Sequence, residues 1–105
     1  MKQREIKFRV WNLRTKEFTY FNLTDDLRFL KNEAIGINYI YQYTGLNDKN
    51  GKEIYDGDII QFEDERGIQR DEVIFESGRF EARKQTKRGL IFSEVIGNIY
   101  ENPEL

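Results

Sequence analysis

Carboxylates crowd one stretch of this chain. Glu53, Asp56, Asp58, Glu63, Asp64 and Glu65 fall within thirteen positions that hold no Lys or Arg. Clustered carboxylates can hold Mg²⁺, or one of them can have its pKa raised and serve as a general acid. A catalytic pair needs fixed opposition across a cleft, and spacing along a single hairpin does not provide it. The simpler expectation is that Asp58, after Gly57, ties down a turn, and that Glu63 to Glu65 form a solvated tip. Just upstream, Asp48-Lys49-Asn50-Gly51 begins like a calcium loop. Such a loop needs its Gly at the sixth place and a bidentate Glu at the twelfth. Here Gly51 is fourth, and Gly57 and Asp58 follow in place of further ligands. A hairpin turn in which Asp48 accepts local backbone N–H bonds is expected instead.

The mirror image lies downstream. Arg79, Arg83, Lys84, Lys87 and Arg88 are opposed only by Glu81, with Phe80 between them. Basic groups with an aromatic ring can follow a phosphate backbone and stack a base. Nucleic-acid contact through these five residues is one candidate function. The competing reading is a β-hairpin whose charged outer face guards its edge against pairing. An acidic and a basic hairpin on one chain also suit self-pairing.

Other chemistry is excluded by residue type. There is no Cys, hence no disulfide, thiol nucleophile or thiolate metal site. There is no His, the commonest general base and zinc ligand. We therefore expect no catalysis and no cofactor or metal. A hydrolase centred on Asp56 and Asp58 is the weakest of the functional readings. Rings are abundant, with eight Phe, six Tyr and one Trp. Tyr and Trp favour interfaces, having one apolar and one hydrogen-bonding end. Trp11, on the strand face opposite Phe8, and Tyr55 are the candidate contact rings.

These side chains must be placed by short strands. Ile6, Phe8 and Val10 alternate with Lys7, Arg9 and Trp11, a period of two that marks a strand. Phe18 to Phe21 supplies its hairpin partner. Thr24-Asp25-Asp26 offers a helix start, and Leu27 and Leu30 follow at helical spacing, so a short helix over 25–32 competes with a loop. Ile35 to Tyr43 reads as a strand. Asn50-Gly51 predicts a type I′ hairpin turn, because both central residues then need φ > 0. Asp56-Gly57 makes a second bend, and Asp58 to Phe62 a strand. Val73 to Phe75, Arg79 to Lys84 and Leu90 to Ile99 complete the set, the last bent at Gly97.

With 105 residues the chain is one domain, 1–105. Its 34% charged and 38% hydrophobic content leaves the aromatic rings to fill a small core, so self-association would add stability. A net charge of −2 argues against coating nucleic acid by bulk charge. The N-terminal Met-Lys-Gln-Arg-Glu is not a signal peptide, and no apolar run has the ~20 residues of a membrane span. A cytoplasmic protein without membrane contact is expected. Many short strands, tight turns and at most one short helix predict a mainly β fold, a small barrel or sandwich.

Several segments in fixed order carry a resemblance. Arg4-Glu5-Ile6-Lys7-Phe8-Arg9-Val10-Trp11 opens it. Tyr43-Thr44-Gly45-Leu46, Asp48 to Tyr55 and Gly57-Asp58-Ile59-Ile60 form its centre. Val95-Ile96-Gly97-Asn98-Ile99-Tyr100 through Leu105 closes it. Together they resemble the YopX family of phage and prophage proteins. The resemblance implies an SH3-like β-barrel with hairpin extensions. It also implies an accessory protein of a phage or prophage in its host's cytoplasm, with no assigned activity. Its partner would be a second copy of itself, or another phage or host protein.

Overall fold

The structure, a computed structural model, describes residues 6–31, 39–76, 79–82 and 90–105. Among the described residues eight strands follow one another: β1 (Lys7–Asn12), β2 (Glu17–Asn22), β3 (Ile40–Asn47), β4 (Glu53–Tyr55), β5 (Asp58–Asp64), β6 (Gly67–Glu76), β7 (Arg79–Ala82) and β8 (Glu94–Asn98). They pair antiparallel in two four-stranded sheets, ordered β2-β1-β3-β4 and β7-β6-β5-β8. The mainly β reading holds. Among the described residues the pairing forms two sheets rather than one closed ring of strands.

Each sheet buries the residues its alternation selects. In the second sheet Ile60 pairs with Val95 and Asp71, which puts Ile60, Phe62, Val73 and Val95 on one face. With Ile54 and Leu90 they form the main apolar cluster. In the first sheet Phe8 pairs with Phe21, and Phe21 meets Phe29 edge-on, so one face is capped by the 3-10 helix Leu27–Lys31. The opposite face carries Arg9 and Trp11, and it too is covered, mostly by rings. In a flat sheet β2 and β4, three places apart, would stand about 14 Å from each other. The Tyr20 and Tyr55 rings nevertheless touch, with centroids 5.5 Å apart. The sheet is therefore strongly curled around its Arg9 face.

Three expectations are corrected. The candidate helix over 25–32 is the 3-10 helix Leu27–Lys31, where Asp26 Oδ1 accepts the Arg28 N–H. The closing strand starts only at Glu94, because Ser93 turns back on Leu90 O through both its N–H and its hydroxyl and makes Leu90–Phe92 a 3-10 turn. The strand expected over 35–43 is β3 from Ile40, and it runs on to Asn47. Residues 35–38 lie outside the described residues.

The Asn50-Gly51 turn is present but of another type. Only Gly51 has positive φ (+86°), while Asn50 does not. Gly51 N donates to Asp48 O at 3.0 Å, and Asp48 N to Lys52 O at 2.7 Å. This is a type I turn followed by a left-handed Gly, the three-residue hairpin loop. A Cβ at Gly51 would meet nothing within 4 Å, so conformation alone is at stake there. Gly51→Ala is expected to cost about 1–2 kcal/mol from left-handed strain, and Gly51→Val more. Urea unfolding of both variants checks this, and unchanged midpoints would refute the turn.

Gly57, at φ +90°, is the pivot between the sheets. Its N–H donates to Val73 O, and its carbonyl accepts from Ile99 N. The neighbouring Asp56 N–H donates to Gln42 O of β3. One bend thus joins the first sheet, β6 and the chain after β8.

Candidate functional site

At the junction of the sheets lies an ion pair that the alternation of β1 does not announce. Arg9 is 4% exposed and Asp58 2%. Arg9 Nη2 donates to Asp58 Oδ1 at 2.7 Å and to the Asp56 carbonyl at 3.3 Å. The other Asp58 oxygen accepts the Tyr55 N–H at 2.7 Å. Phe18 and Tyr55 flank the guanidinium, with ring centroids 4.2 and 4.8 Å from Cζ. Among the described residues its Nε has no hydrogen-bond partner. Register explains the cage. Arg9 stands opposite Tyr20 on β2 and Tyr41 on β3, Trp11 opposite Phe18, and Tyr43 opposite Tyr55, and paired residues share a face.

The expected contact rings belong to this cage. Trp11 is 5% exposed, stacked on Tyr100 at 4.9 Å and edge-on to Phe18. Tyr55 is 2% exposed. Both are buried within the chain, a correction to their candidacy as contact rings. Tyr100 also bonds Tyr41 hydroxyl to hydroxyl, fastening the chain after β8 over the open end of the first sheet. Burial pushes the Tyr41 phenol well above the ordinary range, helped by its bond to Tyr100. Tyr55 is pushed up likewise, by burial and then by Glu53, whose carboxylate accepts its hydroxyl.

The acidic stretch divides by environment. Burial pushes Asp58 up, opposed by Arg9 and the Tyr55 N–H. Burial also pushes Asp56 up, joined by the negative charge of Glu72. At the β5–β6 tip, expected to be solvated, Asp64 pairs with Arg66. Asp48 behaves as the turn reading requires and goes further. Its Oδ1 accepts the N–H groups of Asn50 and Lys52, both at 2.9 Å, and its Oδ2 accepts Val95 N–H of β8 at 2.9 Å. Lys49 N–H adds a bond to Ser93 O. Burial works to raise Asp48, and the three N–H bonds overcome it and hold the carboxyl below the usual range. Both oxygens of Asp48 and of Asp58 are thus committed to backbone or to Arg9. Among the described residues no three acidic side chains converge on one point.

A shallow cleft of about 210 Å³ opens beside the cage, between Lys7, Tyr20, Phe21, Asn22, Asp25, Glu53 and Tyr55. Lys7 crosses it to Glu53 at 2.5 Å. The volume is below the roughly 300–1,000 Å³ of small-molecule pockets. Elsewhere Leu46, Ile91 and Phe92 are 42%, 49% and 66% exposed, where the end of β3 adjoins the 3-10 turn. Of the basic set, Arg79 opens β7, its backbone paired with Glu76. Arg83, Lys84, Lys87 and Arg88 lie outside the described residues. No helix among the described residues is long and apolar enough to cross a membrane.

The model of the YopX protein family matches residues 24–105. The chain belongs to the YopX family. A crystal structure of protein EF1440 from Enterococcus faecalis is similar to this YopX chain at 25% identity and a TM-score of 0.72, covering 97% of this chain and 98% of the other. Among curated proteins nothing matches. Covering 97% of this chain, the likeness reaches into the two strands, β1 and β2, that precede the matched family region.

Proposed function

We propose that this YopX-family chain is a non-catalytic accessory module of a phage or prophage. It acts in the host cytoplasm through protein contacts, first with copies of itself and then with another phage or host protein. In this reading the two sheets work together as a small SH3-like barrel presenting its loops. The exposed apolar end at Leu46, Ile91 and Phe92 carries the proposal. Ile91 and Phe92 are neighbours in the 3-10 turn that adjoins the end of β3, and grouped exposed apolar side chains mark contact surfaces more often than isolated ones do. The commitment of Asp48 and Asp58 to structure supports the non-catalytic part.

Sedimentation velocity across a concentration series tests it. A species heavier than the 12.7 kDa chain is expected at tens of micromolar, about the range where mass action favours a weak assembly. Phe92→Ser with Ile91→Ser should return it to monomer with the melting temperature of the dilute, unassembled wild type, because about half or more of each side chain is exposed. A wild-type chain that stays monomeric throughout would overturn the self-association. A double variant that assembles as before would place the contact elsewhere.

A further inference from the structure

We propose that Asn50 is a site of spontaneous deamidation in the folded protein. We further propose that its conversion to isoaspartate releases the clamp Asp48 makes between the two sheets. Asn50 is the one Asn in the chain that precedes a Gly. Both residues are exposed at the tip of the β3–β4 loop, and apart from its two chain neighbours nothing lies within 4 Å of where a Gly51 Cβ would stand. No other part of the fold crowds a ring forming there, and solvent hydroxide reaches the Gly51 N–H once its bond to Asp48 O opens. The bonds that shape the turn come from backbone groups and the Asp48 carboxylate. The Asn50 side chain is not needed to hold it. Asn98, by contrast, is buried, with its oxygen accepting from Tyr100 and Glu101 N–H and its amide donating to Glu101.

The chemistry needs only water. The Gly51 nitrogen gives its proton to hydroxide and attacks Asn50 Cγ. The Cγ–Nδ2 bond breaks, and ammonia leaves with a proton from water. The product is a five-membered succinimide. Water then opens it at one of two bonds. Cleavage between Cγ and the Gly51 nitrogen gives aspartate. Cleavage between the backbone carbonyl carbon and that nitrogen gives isoaspartate, with the chain now running through Cγ. The restraint is the bond from Gly51 N to Asp48 O, which opens whenever the loop tip frays.

Isoaspartate lengthens the backbone by one carbon between residue 50 and Gly51. Lys52 N can then no longer meet Asp48 Oδ1 while Asp48 N meets Lys52 O. A second carboxylate also arrives beside that of Asp48. The same carboxylate holds Val95 N–H, so β8 loses its tie to the loop.

The test is incubation of the folded chain in mildly alkaline buffer, followed by peptide mapping with isoaspartate-specific methyl labelling. A peptide covering residues 44–58 serves as the unfolded reference. An acidic species modified at Asn50 alone is expected, one negative charge beyond the −2 of the parent chain. Hydrogen exchange on the isoaspartate fraction should show lost protection at Lys52 and Val95. Asn50→Asp, which adds the charge without the extra atom, should keep that protection. Asn50→Ser should neither convert nor lose it. A folded chain that stays unmodified while the peptide converts completely would overturn the site. Unchanged Val95 protection in the isoaspartate fraction would overturn the release of the clamp.

Discussion

Asp58→Ala is expected to remove about 3–5 kcal/mol of folding stability, the range for breaking a buried ion pair by deleting one partner. Most of that cost is not the lost attraction. Arg9, 4% exposed and caged by rings, cannot regain water in the folded state, so its charge is left uncompensated. Tyr55 N–H also loses its acceptor. Against a usual total of about 5–15 kcal/mol, this brings the chain near its unfolding threshold. The double variant Arg9→Met, Asp58→Asn separates the two causes. Asn can still accept the Tyr55 N–H, and Met fills the cage without a charge. It should be clearly more stable than Asp58→Ala, because removing both charges removes the desolvation penalty too. Urea unfolding of the wild type and both variants gives the comparison. A single variant that loses less than about 1 kcal/mol would mean that the pair behaves as an exposed one.

That ion pair also shows where sequence reading stops. The strands of the first sheet are visible in alternation, and the loop at Asn50-Gly51 and the bend at Asp56-Gly57 are visible in turn chemistry. Each of these is a local property of a few residues. Arg9 is different. A charge alternating with Phe8 and Val10 is normally read as the solvent side of a strand, since burying a charge costs several kcal/mol unless it is paired. Its partner lies 49 positions away, and no local pattern links them. One signal was available. Trp11 shares the Arg9 parity on β1, and Phe18 and Tyr20 oppose these two across the hairpin. A solvent face does not collect such rings, so the sequence already hinted that both faces of the sheet are covered. The same coverage moved Trp11 and Tyr55 from candidate contacts into the core. The Asp48 turn was half legible. Its bonds to Asn50 and Lys52 follow from turn chemistry, but the third, to Val95, depends on how the two sheets dock.

That third bond makes the response to acid specific. Asp48 has a folded pKa held below its ordinary value of about 3.9. The sign follows from proton binding. Above the unfolded pKa the carboxylate is ionised in both states, and the folded state keeps its full advantage. As pH falls through that value the unfolded chain takes up the proton first, and the advantage shrinks until the folded carboxyl is protonated too. Stability should therefore fall steeply below about pH 4. Asp26 and Asp64 are lowered as well, but each sits in an exposed pair with an Arg, and added salt screens such pairs. Asp56 and Asp58, raised by burial, act in the opposite direction, so among the described carboxyls high salt leaves Asp48 as the main source of acid loss. Asp48→Ala should cost about 3 kcal/mol or more at neutral pH, since bonds to a charged acceptor contribute roughly 1.5–3 kcal/mol each and three N–H groups lose theirs. Asp48→Asn should cost less. An amide can keep the two bonds made by Oδ1 within the loop, but turns an N–H toward Val95 N–H, donor against donor. In both variants the acid slope at high salt should flatten. If Asp48→Asn retained the slope, the acid sensitivity would belong to another carboxylate, and Asp48 would hold only its own loop, with β8 secured by the apolar cluster around Ile60 and Val95.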